Sequence, residues 1–222
     1  IPAALIMRQP DLGTALLVFM SGFFTLFLAG LGVHYLIGTF LTGIAAVPIM
    51  WNFILLDYQK QRLLTLLSPE KDRLGSGWNI VQSKTAIGSG GLNGKGWTEG
   101  TQSQLNFLPE SHTDFIIAVL AEEFGLIGIL ILLTLYTLVI ARCSFIALKA
   151  QSQFGRLLAG SLSLIFFIYV FVNMGMVSGI LPVVGAPLPM ISYGGTAILT
   201  LFIGFGLLMA ISTEPNRMRT TL

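Results

Sequence analysis

The chain has 222 residues, of which 54% are hydrophobic and only 10% charged, and its mean hydropathy is +0.83; an ordinary soluble domain is roughly 25% charged. So few charges cannot cover a water-facing surface, so the composition excludes a soluble domain and predicts an all-α polytopic membrane protein. The basic residues stand mainly at predicted helix ends, where topology explains them, which argues against nucleic-acid binding, and the single cysteine, Cys143, excludes an internal disulfide.

Residues 1–56 read as the end of a cut helix followed by two spans. Ile1 to Met7 resembles the last turns of a helix that began earlier, with no initiator Met, basic n-region or cleavage site, and further spans are expected to precede it. No Lys, Arg, Asp or Glu occurs between Asp11 and Asp57. That gap accommodates two crossings of about 20 residues each, which His34 divides into Leu12 to Val33 and Tyr35 to Leu56. Asp11 opens the first, either as a cap or as a carboxylate that converges with Asp114.

Residues 57–113 carry six basic and five acidic residues and form the expected extracytoplasmic segment, too long to be structureless and therefore partly ordered and functional. Its glycine-rich stretch, Gly88 to Gly100, fails as a phosphate loop: Gly94-Lys95 is followed by Gly96 instead of Ser or Thr, and Ser89 stands where the first glycine belongs. It reads as a chain of tight turns lying close to a ligand backbone.

Residues 114–222 hold three more spans, Phe115 to Ala141, Leu157 to Ser178 and Met190 to Ser212, and a short cytoplasmic tail. The last two are separated by Gly179 to Pro189, whose prolines and glycines cannot continue a helix. Arg142, Lys149, Arg156, Arg217 and Arg219 fall on one side, which the distribution of basic residues makes cytoplasmic. Asp114 is predicted in the first helical turn, as a cap or a functional group, on one face with Ala118, Ala121 and Gly125. Glu122 and Glu123 lie two turns deeper, where an unpaired charge costs about 2.5 to 3.5 kcal/mol at a bilayer centre. At least one must therefore face a partner or water, in an ion pair, an interhelical hydrogen bond or catalysis. Ser192-Tyr193-Gly194-Gly195 brings hydroxyls and close backbone approach to the outer surface.

These residues carry a resemblance. Pro10-Asp11-Leu12-Gly13, Asp57-Tyr58-Gln59-Lys60-Gln61-Arg62, Gln82-Ser83-Lys84, Gly100-Thr101-Gln102-Ser103-Gln104, Phe107-Leu108-Pro109-Glu110, His112-Thr113-Asp114-Phe115, Ala121-Glu122-Glu123, Val172-Asn173-Met174-Gly175, Gly179-Ile180-Leu181-Pro182, Pro187-Leu188-Pro189 and Ser192-Tyr193-Gly194-Gly195 follow one another as in the SEDS family (shape, elongation, division, sporulation). The Gly-Thr-Gln-Ser-Gln run and Val177 to Gly185 are similar to its elongation branch. Members have about ten spans, and this chain resembles their C-terminal part.

The resemblance implies a multi-pass protein of the bacterial cytoplasmic (inner) membrane that polymerises lipid II into β-1,4 glycan at the outer face and releases undecaprenyl diphosphate. Asp114 takes the position of the catalytic aspartate, acting as general base on the acceptor's 4-hydroxyl with inversion at the donor carbon. Arg62, Lys84, or a divalent cation (Mg or Mn) held near Asp11 and Asp114, would compensate the departing diphosphate. Glu110, His112, Ser192 and Tyr193 would line the cavity, Glu122 and Glu123 would be structural or line it too, and no organic cofactor is expected. Implied partners are the growing glycan strand, a class B penicillin-binding transpeptidase, other elongation-complex membrane proteins and membrane lipid. Two other classes fit the residues alone: a lipid-linked precursor flippase, which would also use intramembrane carboxylates and interrupted helices, and a non-catalytic scaffold for the transpeptidase.

Overall fold

The computed structural model describes residues 2–9, 12–72, 75–105, 107–108 and 110–214. Their order is α1 (Pro2–Arg8), α2 (Leu12–Leu28), α3 (Val33–Ile49) running on into a π-helical turn (Met50–Ile54), α4 (Asp57–Leu67), a 3-10 turn (Pro69–Lys71), α5 (Ser76–Gly90), α6 (Thr101–Gln104), α7 (Ile116–Lys149), α8 (Gln153–Val177) and α9 (Gly195–Ser212). No strand occurs among the described residues.

Three helices, α7, α8 and α9, are long and apolar enough to cross a membrane, while α2 and α3 are shorter apolar helices. Helix α2 stops short of the predicted Leu12 to Val33, while α3 and its π-helical turn together run from Val33 to Ile54, close to the predicted Tyr35 to Leu56. Gly30, at φ +91°, turns the chain after α2, and Pro48 lies inside α3 just before the π-helical turn, where it supplies no backbone donor. Asn52 Nδ2 donates to the Pro48 carbonyl at 2.9 Å, pairing an acceptor there.

The core lies where α7, α8 and the 178–194 connection meet. Ala118, Phe115, Met176 and Val177 are fully enclosed there. An aromatic series joins the three long helices, with Tyr136 to Phe166 centroids 5.9 Å apart and Phe166 to Phe205 centroids 5.6 Å apart, and the Tyr136 hydroxyl donates to the Pro189 carbonyl at 2.6 Å. Towards the other end, hydroxyl pairs link neighbours: Ser144 to Ser163 and Thr25 to Ser161, each at 3.0 Å. Such bonds suit an environment without competing water.

Helix α7 is broken at Gly125, where φ is +64° and ψ −164°. An unbroken helix would bond Leu126 N–H to the Glu122 carbonyl and Ile127 N–H to the Glu123 carbonyl. All four groups are instead taken by the glycine-rich segment. Lys95 N–H donates to Glu122 O at 2.9 Å and Gly96 N–H to Glu123 O at 3.1 Å, while Leu126 N–H donates to Gly91 O at 2.9 Å and Ile127 N–H to Leu92 O at 3.2 Å. Unregular backbone in a membrane protein is tolerated where protein satisfies it in this way. The glycines permit the approach: a Cβ on Gly90 would lie 1.9 Å from the Ala121 carbonyl oxygen, and one on Gly94 2.0 Å from that of Glu123. The backbone that the glycine-rich stretch approaches in the structure is that of α7.

Gly125→Ala places a methyl 2.3 Å from the Gly94 nitrogen at a positive φ, which we expect to cost about 3 kcal/mol or more. Thermal unfolding of the protein at its natural full length should show a strongly lowered Tm for Gly125→Ala and an unchanged one for Gly206→Ala, whose added methyl meets nothing within 4 Å.

Candidate functional site

Glu122 is fully buried, and its carboxylate is a bonding centre. Lys95 Nζ lies 2.6 Å from Oε1, and Oε1 also accepts from Thr101 N–H at 2.9 Å, Thr101 Oγ1 at 3.1 Å and Ser89 Oγ at 3.4 Å. Gln102 N–H is 3.1 Å from both carboxylate oxygens. Of the roles the sequence leaves open, this is the structural ion pair. Glu123, also buried, contributes its backbone carbonyl to Gly96.

Asp114 stands in the turn before α7, not in its first helical turn, because helical geometry begins at Ile116 with Phe115 as the flanking residue. Neither Asp114 nor Thr113 caps the helix: no side chain bonds at that cap, and Thr113 Oγ1 donates back to the Glu110 carbonyl at 3.3 Å. The expected small face of α7 does pack inward, with Ala118, Ala121 and Gly125 all buried.

The turn is held from two sides by its backbone. Glu110, at φ +58°, accepts Thr113 N–H at 3.1 Å and Phe115 N–H at 3.3 Å. From the connection, Ser192 Oγ donates to the Thr113 carbonyl at 2.5 Å while accepting Leu188 N–H at 2.8 Å, and Tyr193 N–H donates to the His112 carbonyl at 3.0 Å. From α8, Asn173 Nδ2 donates to the Asp114 carbonyl at 2.9 Å and to the Ala186 carbonyl at 2.7 Å. The Asp114 carboxylate faces Gly185, where an added Cβ would sit 3.5 Å from Oδ2. Burial, and secondarily the negative charge of Glu110, push its pKa above the ordinary aspartate value.

The other predicted residues divide. Glu110 and His112, in the turn that carries Asp114, and Tyr193, bonded to that turn through its N–H, are exposed. Ser192 is buried and doubly engaged, so it pins the backbone, and it also lines the groove between α8 and α9. Lys84 stands over the start of the same connection, its Nζ 2.6 Å from the Cβ position of Gly179, and the neighbouring Ser83 Oγ donates to the Val177 carbonyl at 2.8 Å. Arg62 is carried by α4, which packs on the 3-10 turn and on α5, the helix that carries Lys84. Asp11 lies outside the described residues. Gly13, two residues on, abuts the connection, where a Cβ would meet the Val184 carbonyl at 2.3 Å. Among the described residues no three His, Cys, Asp or Glu side chains gather as a metal-binding group.

Asn173 and Gly185 are two residues in contact with Asp114 that residue-by-residue reading does not single out. An asparagine in an otherwise apolar span is a visible signal, but nothing local names the carbonyls it bonds. Two apolar grooves flank the site without including Asp114: one of 440 Å³ between α5, α7 and α8, and one of 290 Å³ between α8, α9 and Pro187 to Ser192.

The chain is similar to peptidoglycan glycosyltransferase MrdB of Escherichia coli K12, 62% identical over 96% of this chain and 58% of that protein. It is also similar to a probable peptidoglycan glycosyltransferase FtsW of Trichlorobacter lovleyi, at 39% identity over 94% of this chain and 54% of that one. A chain in a solved peptidoglycan synthase complex superposes with a TM-score of 0.81 at 32% identity, over 97% of this chain and 60% of its own length. The Thermus thermophilus rod shape determining protein RodA superposes with a TM-score of 0.62 at 27% identity, over 97% of this chain and 54% of that one. The chain therefore spans somewhat over half the length of the relatives it matches. Residues 1–217 match the FtsW/RodA/SpoVE family model of cell cycle proteins, and the chain belongs to that family.

Proposed function

We propose that the protein of which this chain forms the matched part is a peptidoglycan glycosyltransferase that extends glycan strands from lipid II during cell elongation. The observation that carries the reading is Asp114: its peptide is fixed by Asn173 and its turn by Ser192 and Tyr193, while its carboxyl is left to face Gly185 with a raised pKa. A base held by its backbone, with no side-chain hydrogen bond among the described residues, suits proton transfer from a positioned hydroxyl. The 62% identity to a peptidoglycan glycosyltransferase supplies the reaction class.

In this reading Asp114 accepts the proton of the acceptor sugar's 4-hydroxyl as that oxygen attacks the donor's anomeric carbon. The bond from that carbon to the diphosphate oxygen breaks with inversion, and undecaprenyl diphosphate leaves. Lys84 meets the negative charge of the diphosphate, and the apolar groove between α5, α7 and α8, beside the helix that carries Lys84, accommodates the start of the polyprenyl chain. A Mg or Mn ion held by Asp11 and Asp114 would add charge compensation; the approach of Gly13 to Val184 and of Asp114 to Gly185, adjacent residues, supports that placement. Arg142, Lys149 and Arg156 mark the end of α7 and the start of α8, which favours the cytoplasmic side of the bacterial inner membrane for that end and the periplasm for Asp114. The likeness to a chain of a peptidoglycan synthase complex supports a class B penicillin-binding transpeptidase as partner.

Glycan formation from fluorescent lipid II by the full-length protein with its transpeptidase should fall about 10²–10⁴-fold in Asp114→Asn, with folding and partner binding retained. Equal polymer from both proteins would remove Asp114 as the base, and no polymer from either would favour a flippase or scaffold. Chelator titration in the same assay reads the cation requirement. The pH dependence follows from the base having to be ionised: activity is lost as pH falls through the raised pKa of Asp114. Glu110→Gln removes one of the two causes of that elevation, so the acidic limb of the rate profile should move to lower pH. A limb that stays in place or moves upward contradicts the assignment.

A further inference from the structure

At the end of the bundle opposite Asp114, a concavity of 400 Å³ opens between the last turns of α7 and α9, lined by Arg142, Phe145, Lys149, Gln151, Ser212 and Glu214 among others. The Phe145 ring gathers two cations. Arg142 Cζ lies 5.9 Å and Lys149 Nζ 4.3 Å from its centroid. A ring face attracts a cation without consuming its hydrogen bonds, so both groups keep N–H donors for an anion. Glu214 shares the concavity but forms no contact ion pair with them among the described residues. Among the described lining residues two cations stand against one carboxylate, an excess of positive charge that suits the single negative charge of a phosphodiester.

The surroundings specify what else the ligand carries. Leu148 is 80% and Phe145 45% exposed beside the cations, and Met209 on α9 is 67% exposed. Both helices are long and apolar enough to span a membrane, which places their polar ends at headgroup level. We propose that this concavity binds the phosphodiester headgroup of an anionic phospholipid, with acyl chains lying along the exposed apolar flanks of α7 and α9. Arg142 and Lys149 hold the phosphate and Glu214 disfavours more highly charged headgroups. The site is independent of the chemistry at Asp114.

The test is lipid retention by the full-length protein, reconstituted with equal phosphatidylglycerol and phosphatidylcholine and analysed by native mass spectrometry. Wild type should retain phosphatidylglycerol selectively, Arg142→Ala and Lys149→Ala should each reduce that selectivity about fivefold, Arg142→Lys should keep it, and Glu214→Gln should raise it. If Arg142→Ala does not insert, Lys149→Ala decides alone. Equal retention of the two lipids, or unchanged selectivity in Lys149→Ala, overturns the proposal. Displacement of bound phosphatidylglycerol by inorganic phosphate also overturns it, since the ligand would then be a free anion.

Discussion

The carboxylate of Glu122 is fully buried and bonded to Lys95, Thr101, Gln102 and Ser89, and the arrangement around Asp114 is built outward from it. A buried charge is costly unless its partners are well placed. Here they come from one continuous stretch, Ser89 to Gln102, and that stretch also supplies the four backbone groups that fill the break in α7. Ion pair and backbone pairing thus depend on each other. Without Lys95 the carboxylate lacks its counter-charge, and without Gly90 and Gly94, where a Cβ would meet the carbonyl oxygens of Ala121 and Glu123, the stretch cannot come close enough to place Lys95.

The break makes the first part of α7, Ile116 to Phe124, a short rod distinct from the apolar helix that follows, and the Asp114 turn sits at its head. The far side of that turn is held by the 178–194 connection and by α8, through Ser192, Tyr193 and Asn173. One connection therefore receives several elements: Lys84 of α5 over Gly179, Gly13 of α2 on Val184, and Asp114 on Gly185. Two of these glycines, Gly179 and Gly185, have positive φ, a conformation that any other residue adopts at a cost. The connection behaves as a shaped surface against which a carboxylate and an ammonium group are both set.

Much of this was legible in the residues. The charge-free gaps located α8 and α9, and the face shared by Ala118, Ala121 and Gly125 indicated inward packing. The requirement that Glu122 or Glu123 find a partner followed from desolvation alone. The partner itself did not, since Lys95 is 27 residues away in a stretch whose glycines suggest turns, and no local periodicity links a loop lysine to a helix glutamate. Gaps counted in charges also overestimated α2, because a gap does not register Gly30, and they did not show that α3 changes to a π-helical turn after Pro48. Asp114 fell before the helix because the chain must turn through Glu110 first, a conformation set by tertiary bonds to Ser192 and Asn173. The same limit applies to Ser192: its motif places it at the right end of the molecule but does not say that its hydroxyl bonds the Thr113 carbonyl.

The central claim is that the Lys95–Glu122 clamp holds the Asp114 turn, and amide hydrogen exchange in full-length wild type and Glu122→Gln tests it most directly. Local opening raises exchange in the segments that open together. The account predicts faster exchange both in residues 95–102, which touch the carboxylate, and in the turn 110–115, which does not. Faster exchange confined to 95–102, with 110–115 as protected as in wild type, would contradict it and leave the turn held by the connection and α8 alone.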